Sequence, residues 1–154
     1  MFLENLPENS SANPSDECSI EITLTFIGDD LNKNEITASL GHEPTFAWNC
    51  NEILELGASK RIKITDTGKW SLKSVAKLHD LDTALAHFLN KLPSDKNLWL
   101  KLTNKHEAYI EITGYNNSWN HNYAISSTTL KLLTEKNLSL SLDIYHFDLD
   151  IPLE

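Results

Sequence analysis

The chain has 154 residues, of which 22 are acidic and 13 are basic, so its formal net charge is -9. A chain of this length suits one domain with a single core. Because phosphate contacts are made by lysine and arginine, and Arg61 is the only arginine, the composition disfavours a nucleic-acid-binding domain. No apolar run approaches the ~20 residues of a membrane-spanning helix, and the N-terminus lacks a signal-peptide pattern, so we expect a cytoplasmic protein.

The first two predicted elements are an N-terminal arm and a strand. Residues 1–17 are rich in Asn, Ser, Pro and Glu, which predicts a flexible arm, and a single domain is expected over residues 18–154. From Ser19 to Ile27, apolar and polar residues alternate with the period of a half-buried strand. Turn residues Gly28, Asp29 and Asp30 follow this strand and are expected to end it.

A short capped helix is predicted next. Asn32 can serve as its N-cap, with Glu35 reaching back as in a capping box. The helix is expected to run from about Lys33 to Leu40, because Gly41 stands where a left-handed residue is needed after the last turn.

A hairpin is predicted in the middle of the chain. Residues 45–48 are expected to form a short strand, followed by a polar link. The runs Arg61 to Ile64 and Trp70 to Leu72 flank the turn residues Asp66, Thr67 and Gly68, so we expect these two runs to pair as a hairpin.

The next pattern predicts a helix and then a second hairpin. Asp80 can cap a helix whose apolar residues recur at helical spacing until Pro93 stops it. The alternation over Leu98 to Thr103 and over Ala108 to Thr113 predicts two strands, joined by a turn at residues 104–106.

A third helix and a last strand complete the prediction. Ser126 can cap a helix over about Ser127 to Lys136, and the leucines from Leu138 onward alternate as a strand up to Ile144. The sequence therefore predicts an α+β domain with a mainly antiparallel sheet and about three helices packed on one face. The similar strand and helix units near the two ends raise the hypothesis of an internal duplication.

Four stretches in this order resemble the bacterial domain of unknown function 4279. They are residues 28–31 (GDDL), residues 35–45 (EITASLGHEPT), residues 68–72 (GKWSL) and residues 138–145 (LSLSLDIY). Together they span most of the chain. The resemblance implies the fold of that family and implies no particular activity.

The residues that commonly carry chemistry show no arrangement typical of a catalytic or metal site. The six histidines show no HxxxH or HxH spacing, and Cys18 and Cys50 form no CxxC pair. The chain also has no GxGxxG, no GK[ST] loop and no GxSxG elbow. We therefore predict no metal, no cofactor and no catalytic residue.

One polar loop and one sheet face are candidates for binding a partner. The segment from Gly114 to Tyr123 alternates aromatic and amide residues around Trp119, and a long loop of this composition suits recognition. Alternation predicts that Tyr109, Glu111, Thr113 and Tyr115 share one face, and that Ser139, Ser141, Asp143 and Tyr145 form the polar face of the last strand. The residues predicted to bind the partner are Glu107, Glu111, Tyr115, Trp119, Tyr123, Asp143, Tyr145, Asp148 and Asp150.

An acidic surface with aromatic anchors favours a basic protein partner. The function expected from the sequence is therefore that of a non-enzymatic immunity protein, which would inhibit a basic nuclease toxin domain by covering its active site. One alternative is a small-molecule or carbohydrate-binding module with Trp119, Tyr115 and Asn122 lining a cleft. A second is a hydrolase that uses Asp29 and Asp30 with a distant histidine, and a third is an interaction module with no toxin involved.

Overall fold

The computed structural model describes residues 18–118 and 120–146. Its strands are β1 (Ser19–Gly28), β2 (Phe46–Trp48), β3 (Ile53–Leu56), β4 (Arg61–Ile64), β5 (Gly68–Lys77), β6 (Glu107–Asn116) and β7 (Ser139–His146). Its helices are α1 (Lys33–Leu40), α2 (Leu81–Asn90), α3 (Lys96–Lys105) and α4 (Ser127–Glu135). None of the helices in the described ranges is long and apolar enough to cross a membrane.

A five-stranded sheet in the order β2-β5-β1-β6-β7 forms the centre of the domain. β1 pairs antiparallel with β5 on one side and with β6 on the other, and β2 pairs antiparallel with β5. β7 runs parallel to β6, because α4 carries the chain back before β7 begins. The predicted α+β class with a mainly antiparallel sheet is confirmed, and residues 18–118 and 120–146 contain four helices where about three were predicted.

The core lies between the sheet and the helices. Alternate residues of the central strand, Ile20, Ile22, Leu24 and Phe26, are at most 1% exposed. Phe26 contacts two tryptophans, with ring centroids 6.0 Å from Trp70 of β5 and 6.2 Å from Trp99 of α3. The same alternation that buries these residues turns the intervening residues of β1 to the opposite face of the sheet.

Three of the helices begin with a side-chain cap. Asn32 Oδ1 accepts the backbone N–H groups of residues 34 and 35, as predicted for α1, and Gly41 has the left-handed φ of 68°. Ser126 Oγ accepts the N–H of residue 129 at the start of α4, as predicted. Asp80 does stand at the N-cap of α2, but the side-chain cap predicted there is wrong: a 3-10 turn over residues 78–80 leads into the helix without a side-chain hydrogen bond.

The predicted hairpin between residues 61–64 and 70–72 is wrong. The run Arg61–Ile64 pairs instead with Ile53–Leu56, which lies in the segment expected to be a polar link, and Gly57 has the φ of 69° that the connecting turn requires. This two-stranded sheet leaves isoleucines 53, 62 and 64 at least 60% exposed. The alternating isoleucines therefore belong to an exposed hairpin. Residues 70–72 belong instead to the long strand β5, which pairs with β1.

The strand predicted over Leu98 to Thr103 is also wrong, because this segment lies in α3. Asp95 caps that helix by accepting the N–H groups of residues 97 and 98. Trp99 and Leu102, three residues apart, are buried, whereas Leu100 is 48% exposed, so burial follows the helical period and not the alternation of leucines. Residues 104–106 accordingly end a helix instead of forming a hairpin turn.

The remaining predicted elements are confirmed. The helix expected over residues 127–136 is α4, the strand expected over residues 138–144 is β7, and the short strand expected over residues 45–48 is β2. The strand expected over residues 108–113 is the middle of β6. The N-terminal arm predicted over residues 1–17 lies outside the described residues.

Candidate protein-binding surface

The described helices pack against one face of the five-stranded sheet, and we call the opposite face the open face. Trp70 Nε1 donates to Thr37 Oγ1 of α1, which places the even-numbered side chains of β5 on the helix side. The odd-numbered residues of β1, β5, β6 and β7 therefore form the open face. It carries small hydroxyl residues along its centre, including Thr25 and Ser71, which are buried and whose hydroxyl oxygens lie 3.1 Å apart.

The register of β6 and β7 brings most of the predicted partner-binding residues together on the open face. Because these strands are parallel and in register, Glu111 lies beside Ser141, Thr113 beside Asp143 and Tyr115 beside Tyr145. Glu107, at the start of β6, continues the same row and is exposed. We call this part of the open face the acidic half, which consists of Glu107, Glu111, Asp143, Tyr115 and Tyr145.

Tyr115 and Tyr145 form a stacked pair at one end of the acidic half. Their ring centroids are 5.4 Å apart and their planes differ by 28°. The two residues are 58% and 53% exposed, and the Tyr145 hydroxyl donates to Asp143 Oδ2 at 3.5 Å. Large, rigid aromatic rings that stand partly exposed beside a carboxylate are suited to contact a cationic partner, through both ring faces and charge.

A cavity of about 230 Å³ lies next to the tyrosine pair. The residues that line it are Ser19, Glu21, Thr113, Gly114, Tyr115 and Tyr145. Pockets that enclose small-molecule ligands are usually about 300–1,000 Å³ in volume, so this one is better matched to a single protruding side chain. Glu21 supplies a carboxylate to it, which favours a positively charged side chain.

Tyr109 of β6 lies beside Thr25 on the open face. Burial raises the pKa of the Tyr109 phenol, and the carboxylates of Glu111 and Glu107 raise it further, while a hydrogen bond with the Thr25 side chain acts in the opposite direction. The phenol therefore stays neutral near neutral pH and adds no charge to the surface.

Two lysines that the sequence analysis missed lie on the other side of β1. Lys69 and Lys73 of β5, which we call the lysine stripe, face the open side next to the aromatic rings of β2. Lys69 Nζ is 5.4 Å from the ring centroid of Phe46 and 5.9 Å from that of Trp48. Lys73 Nζ is 3.4 Å from Glu21 Oε2. The alternation Lys69, Ser71, Lys73 was visible in the sequence, but its meaning depends on the pairing of β5 with β1.

The loop after β6 places Tyr123 on the helix side of the sheet. The Tyr123 hydroxyl accepts from Asn116 Nδ2 at 3.1 Å and lies 3.0 Å from His146 Nε2. Asn116 and His146 alternate with Tyr115 and Tyr145, so they point away from the open face. Tyr123 therefore fastens the loop to the ends of β6 and β7 and is separated from the acidic half.

Three of the predicted partner-binding residues, Trp119, Asp148 and Asp150, lie outside the described residues.

The hydrolase hypothesis required a histidine near Asp29 or Asp30, and the structure provides one. His106 Nδ1 is 3.7 Å from Asp30 Oδ1, but the residue is only 5% exposed and its ring lies against Gly28. Nδ1 is a buried nitrogen with no hydrogen-bond partner among the described residues. A ring enclosed in this way offers no surface to a substrate, so the pair gives the hydrolase hypothesis little support.

The buried His106 makes the stability of the domain depend on pH. Burial lowers the pKa of His106 below its ordinary 6.5, and the Asp30 carboxylate only partly opposes this effect. The folded chain therefore binds this proton less readily than the unfolded chain. We expect the free energy of unfolding to be highest above about pH 6.5 and to decrease as the pH falls from there toward the folded-state pKa.

Urea denaturation at a series of pH values measures this effect. The variant His106→Gln removes the titrating group and keeps the other five histidines, so its unfolding free energy should depend less steeply on pH over the same range. An equally steep dependence in both proteins would show that His106 is not the group responsible.

The comparisons with known proteins identify a family and nothing closer. A family model described as "Domain of unknown function (DUF4279)" matches residues 16–147. No curated protein and no solved structure matches the chain. The resemblance expected from the four sequence stretches is confirmed.

Proposed function

The chain belongs to the DUF4279 family, and we propose that it is a non-enzymatic domain that binds a basic protein through the acidic half of its open face. In the specific form of this proposal it is a cytoplasmic immunity protein, and its partner is the nuclease domain of a bacterial toxin. The observation that carries the proposal is the exposed, stacked pair of Tyr115 and Tyr145 beside Asp143.

The geometry of this pair supports protein binding over the alternatives. Residues that dominate the binding energy of protein interfaces are most often Trp, Tyr and Arg, and they tend to fill small pockets on the partner. The cavity beside the pair measures about 230 Å³ and is lined by Glu21, so a lysine or arginine of the partner would meet two aromatic rings and share the Glu21 carboxylate with Lys73, which lies 3.4 Å from it. The small-molecule alternative would favour a larger and more enclosed pocket.

Charge supports the same proposal at longer range. The chain carries a net charge of -9, and the carboxylates of Glu107, Glu111 and Asp143 lie in neighbouring rows of one surface. Such a surface accelerates the encounter with a cationic protein, and the acceleration weakens as salt screens charges over about 10 Å. A nuclease domain has a cationic substrate-binding surface, because it must hold phosphates, and it is therefore a suitable partner.

The test is direct binding to purified basic nuclease toxin domains, beginning with any that is encoded beside the gene for this chain. We expect one of them to bind with a dissociation constant below about 1 µM and to lose nuclease activity at equal stoichiometry. The double variant Glu111→Lys/Asp143→Lys should weaken that binding by about 10- to 100-fold, chiefly through slower association. Tyr145→Ala should mainly accelerate dissociation.

A matched control distinguishes the effect of the acidic half on binding from the effect of the overall charge of the chain. The double variant Glu43→Lys/Glu55→Lys changes the net charge equally, at exposed residues away from the open face. It should bind nearly as well as the unchanged chain. Equal weakening by the two double variants would reject the acidic half as the binding surface, and the absence of binding to every basic domain would reject the function.

A further inference from the structure

The open face carries opposite charges on the two sides of its central strand. β5 contributes the lysine stripe, Lys69 and Lys73, on one side of β1, and β6 contributes Glu107 and Glu111 on the other. β1 itself contributes Thr23 and Ile27 between them, and its Glu21 also lies on this face, with Oε2 3.4 Å from Lys73 Nζ of the same copy. The two charged rows are therefore about 10 Å apart, which is twice the spacing of neighbouring strands.

The strand register places each lysine at the same height as a glutamate. Ile27 pairs with Lys69 on one side and with Glu107 on the other. Thr23 likewise pairs with both Lys73 and Glu111. Lys69 and Lys73 thus each have a glutamate at the same height on the opposite side of β1.

This arrangement is complementary to itself. Consider a second copy whose open face is turned toward the open face of the first, with a two-fold axis that runs between the two sheets and parallel to β1. β5 of each copy then lies over β6 of the other. Lys69 then faces Glu107 of the second copy, Lys73 faces Glu111 of the second copy, and both contacts occur twice. Glu21 of each copy lies near the axis, next to Lys73 of its own copy, which offsets its charge. A two-fold axis across the strands would instead place lysines over lysines, so charge selects the first arrangement.

We propose that this chain forms a symmetric dimer in which the open faces of two copies pack against each other, with the lysine stripe of each copy on the acidic half of the other. The face measures roughly 700 Å² per copy from the standard strand spacing and rise. Stable interfaces bury about 800 Å² per partner, so the area suits a dimer of moderate affinity. The long lysine and glutamate side chains span the offset that the twist of packed sheets introduces.

Aromatic side chains add contact area at the margins of this interface. The same two-fold axis places β2 over β7 of the second copy, so the stacked rings of Phe46 and Trp48, 5.6 Å apart, lie over the start of β7, with Phe46 at the height of Ser139. Aromatic residues next to paired charges are typical of protein interfaces. The dimer does not depend on the proposed function, but it would compete with a basic partner, because both occupy the acidic half.

Two single charge reversals test the proposal. The variant Lys69→Glu places glutamate opposite Glu107 in both contacts of the dimer, and Glu107→Lys places lysine opposite Lys69. Each variant alone should raise the dimer dissociation constant at least tenfold, as measured by sedimentation velocity over a range of concentrations. Circular dichroism and thermal melting check that both variants remain folded, and Glu43→Lys serves as a control for net charge.

An equimolar mixture of the two variants gives the most specific readout. In the mixed dimer, the glutamate introduced by Lys69→Glu in one copy faces the lysine introduced by Glu107→Lys in the other. The unchanged Lys69 faces the unchanged Glu107 at the second contact, so the mixture should recover a dissociation constant within about threefold of the unchanged chain. Each chain in the mixture carries only one of the two changes, so this recovery cannot arise within a chain.

Three results would overturn the proposal. The first is an unchanged chain that stays monomeric at every accessible concentration. The second is a dimer that neither single variant weakens, which would place the interface on another surface. The third is a mixture that remains as dissociated as its components.

Discussion

Trp99→Ala should lower the free energy of unfolding by about 3–5 kcal/mol, a range typical of large aromatic side chains truncated in a core. Trp99 is fully buried, its ring stacks on Phe26 at 6.2 Å, and its Nε1 donates to the carbonyl of Pro93 at 2.7 Å. The Lys136 ammonium also lies 5.8 Å from its ring centroid. Truncation would remove all three contacts and leave a cavity between α3 and β1. Because domains are stable by only about 5–15 kcal/mol, this single change could unfold much of the population.

Trp48→Ala provides the matched control, because the same side chain is removed from the open face. Trp48 is only half-buried and packs on Phe46 at the edge of the sheet, although its Nε1 also donates to a backbone carbonyl. Its truncation should cost less than half as much unfolding free energy in urea denaturation. A larger cost for Trp48→Ala than for Trp99→Ala would contradict the placement of the core.

Gly68→Asn should be nearly as damaging, at about 3 kcal/mol or more, because even the first atom of a side chain has no room there. A Cβ at this position would lie 2.8 Å from the carbonyl oxygen of Gly28 and 2.9 Å from the Cβ of Leu31. Neither atom belongs to the mobile end of a side chain. Gly68 and Gly28 form the last pair between β5 and β1, so any shift would disturb this end of the ladder.

Gly57→Asn is the corresponding control in the exposed turn between β3 and β4. Gly57 has a φ of 69°, a conformation that asparagine tolerates, and a Cβ there would meet nothing within 4 Å. We expect a change of less than about 0.5 kcal/mol in the unfolding free energy, as is usual for surface positions. Similar losses at the two glycines would show that backbone conformation, and not the close packing of β1 on β5, determines the cost.

Local signals in the sequence were sufficient to find most elements of the fold. The period of two in β1, the cap at Asn32 and the cap at Ser126 each depend on residues only a few positions apart. The family resemblance also included the segment around Gly68 and Trp70, and both residues have a structural reason to be there. Gly68 allows β5 to approach β1, and Trp70 fills the core with its indole nitrogen bonded to Thr37.

The predicted elements were wrong where a local pattern fits both a helix and a strand, or fits more than one pairing. In these segments, contacts with residues distant in the sequence determine which structure forms. The leucines at positions 98, 100 and 102 alternate like a strand, but Asp95 caps the segment as a helix and Trp99 has its place in the core only in that conformation. The run Arg61–Ile64 also alternates like a strand, but its partner is Ile53–Leu56 and not β5. Pairing between strands is a non-local property, and alternation alone does not specify it.

The difference between local patterns and long-range strand pairing also explains which parts of the open face could be predicted. The shared face of Tyr109, Glu111, Thr113 and Tyr115 follows from alternation within one strand. The pairing of β6 with β7 does not follow from alternation, because it is a long-range contact. The alternation that forms the lysine stripe is visible in the sequence, but its position beside β1 depends on the long-range pairing of β5 with β1. The net charge of -9 gives no indication of the lysine stripe, because a total charge does not show how positive and negative residues are distributed over the open face.

Chemical-shift mapping of the bound chain tests the central claim most directly. Backbone and tyrosine side-chain resonances would be recorded for the chain alone and saturated with the basic nuclease domain that it binds. We predict that the largest changes fall on Glu111, Tyr115, Asp143 and Tyr145, and that they diminish at high salt as the complex weakens. Changes concentrated on the four helices or on the β3–β4 hairpin, with the tyrosine pair unaffected, would contradict the claim.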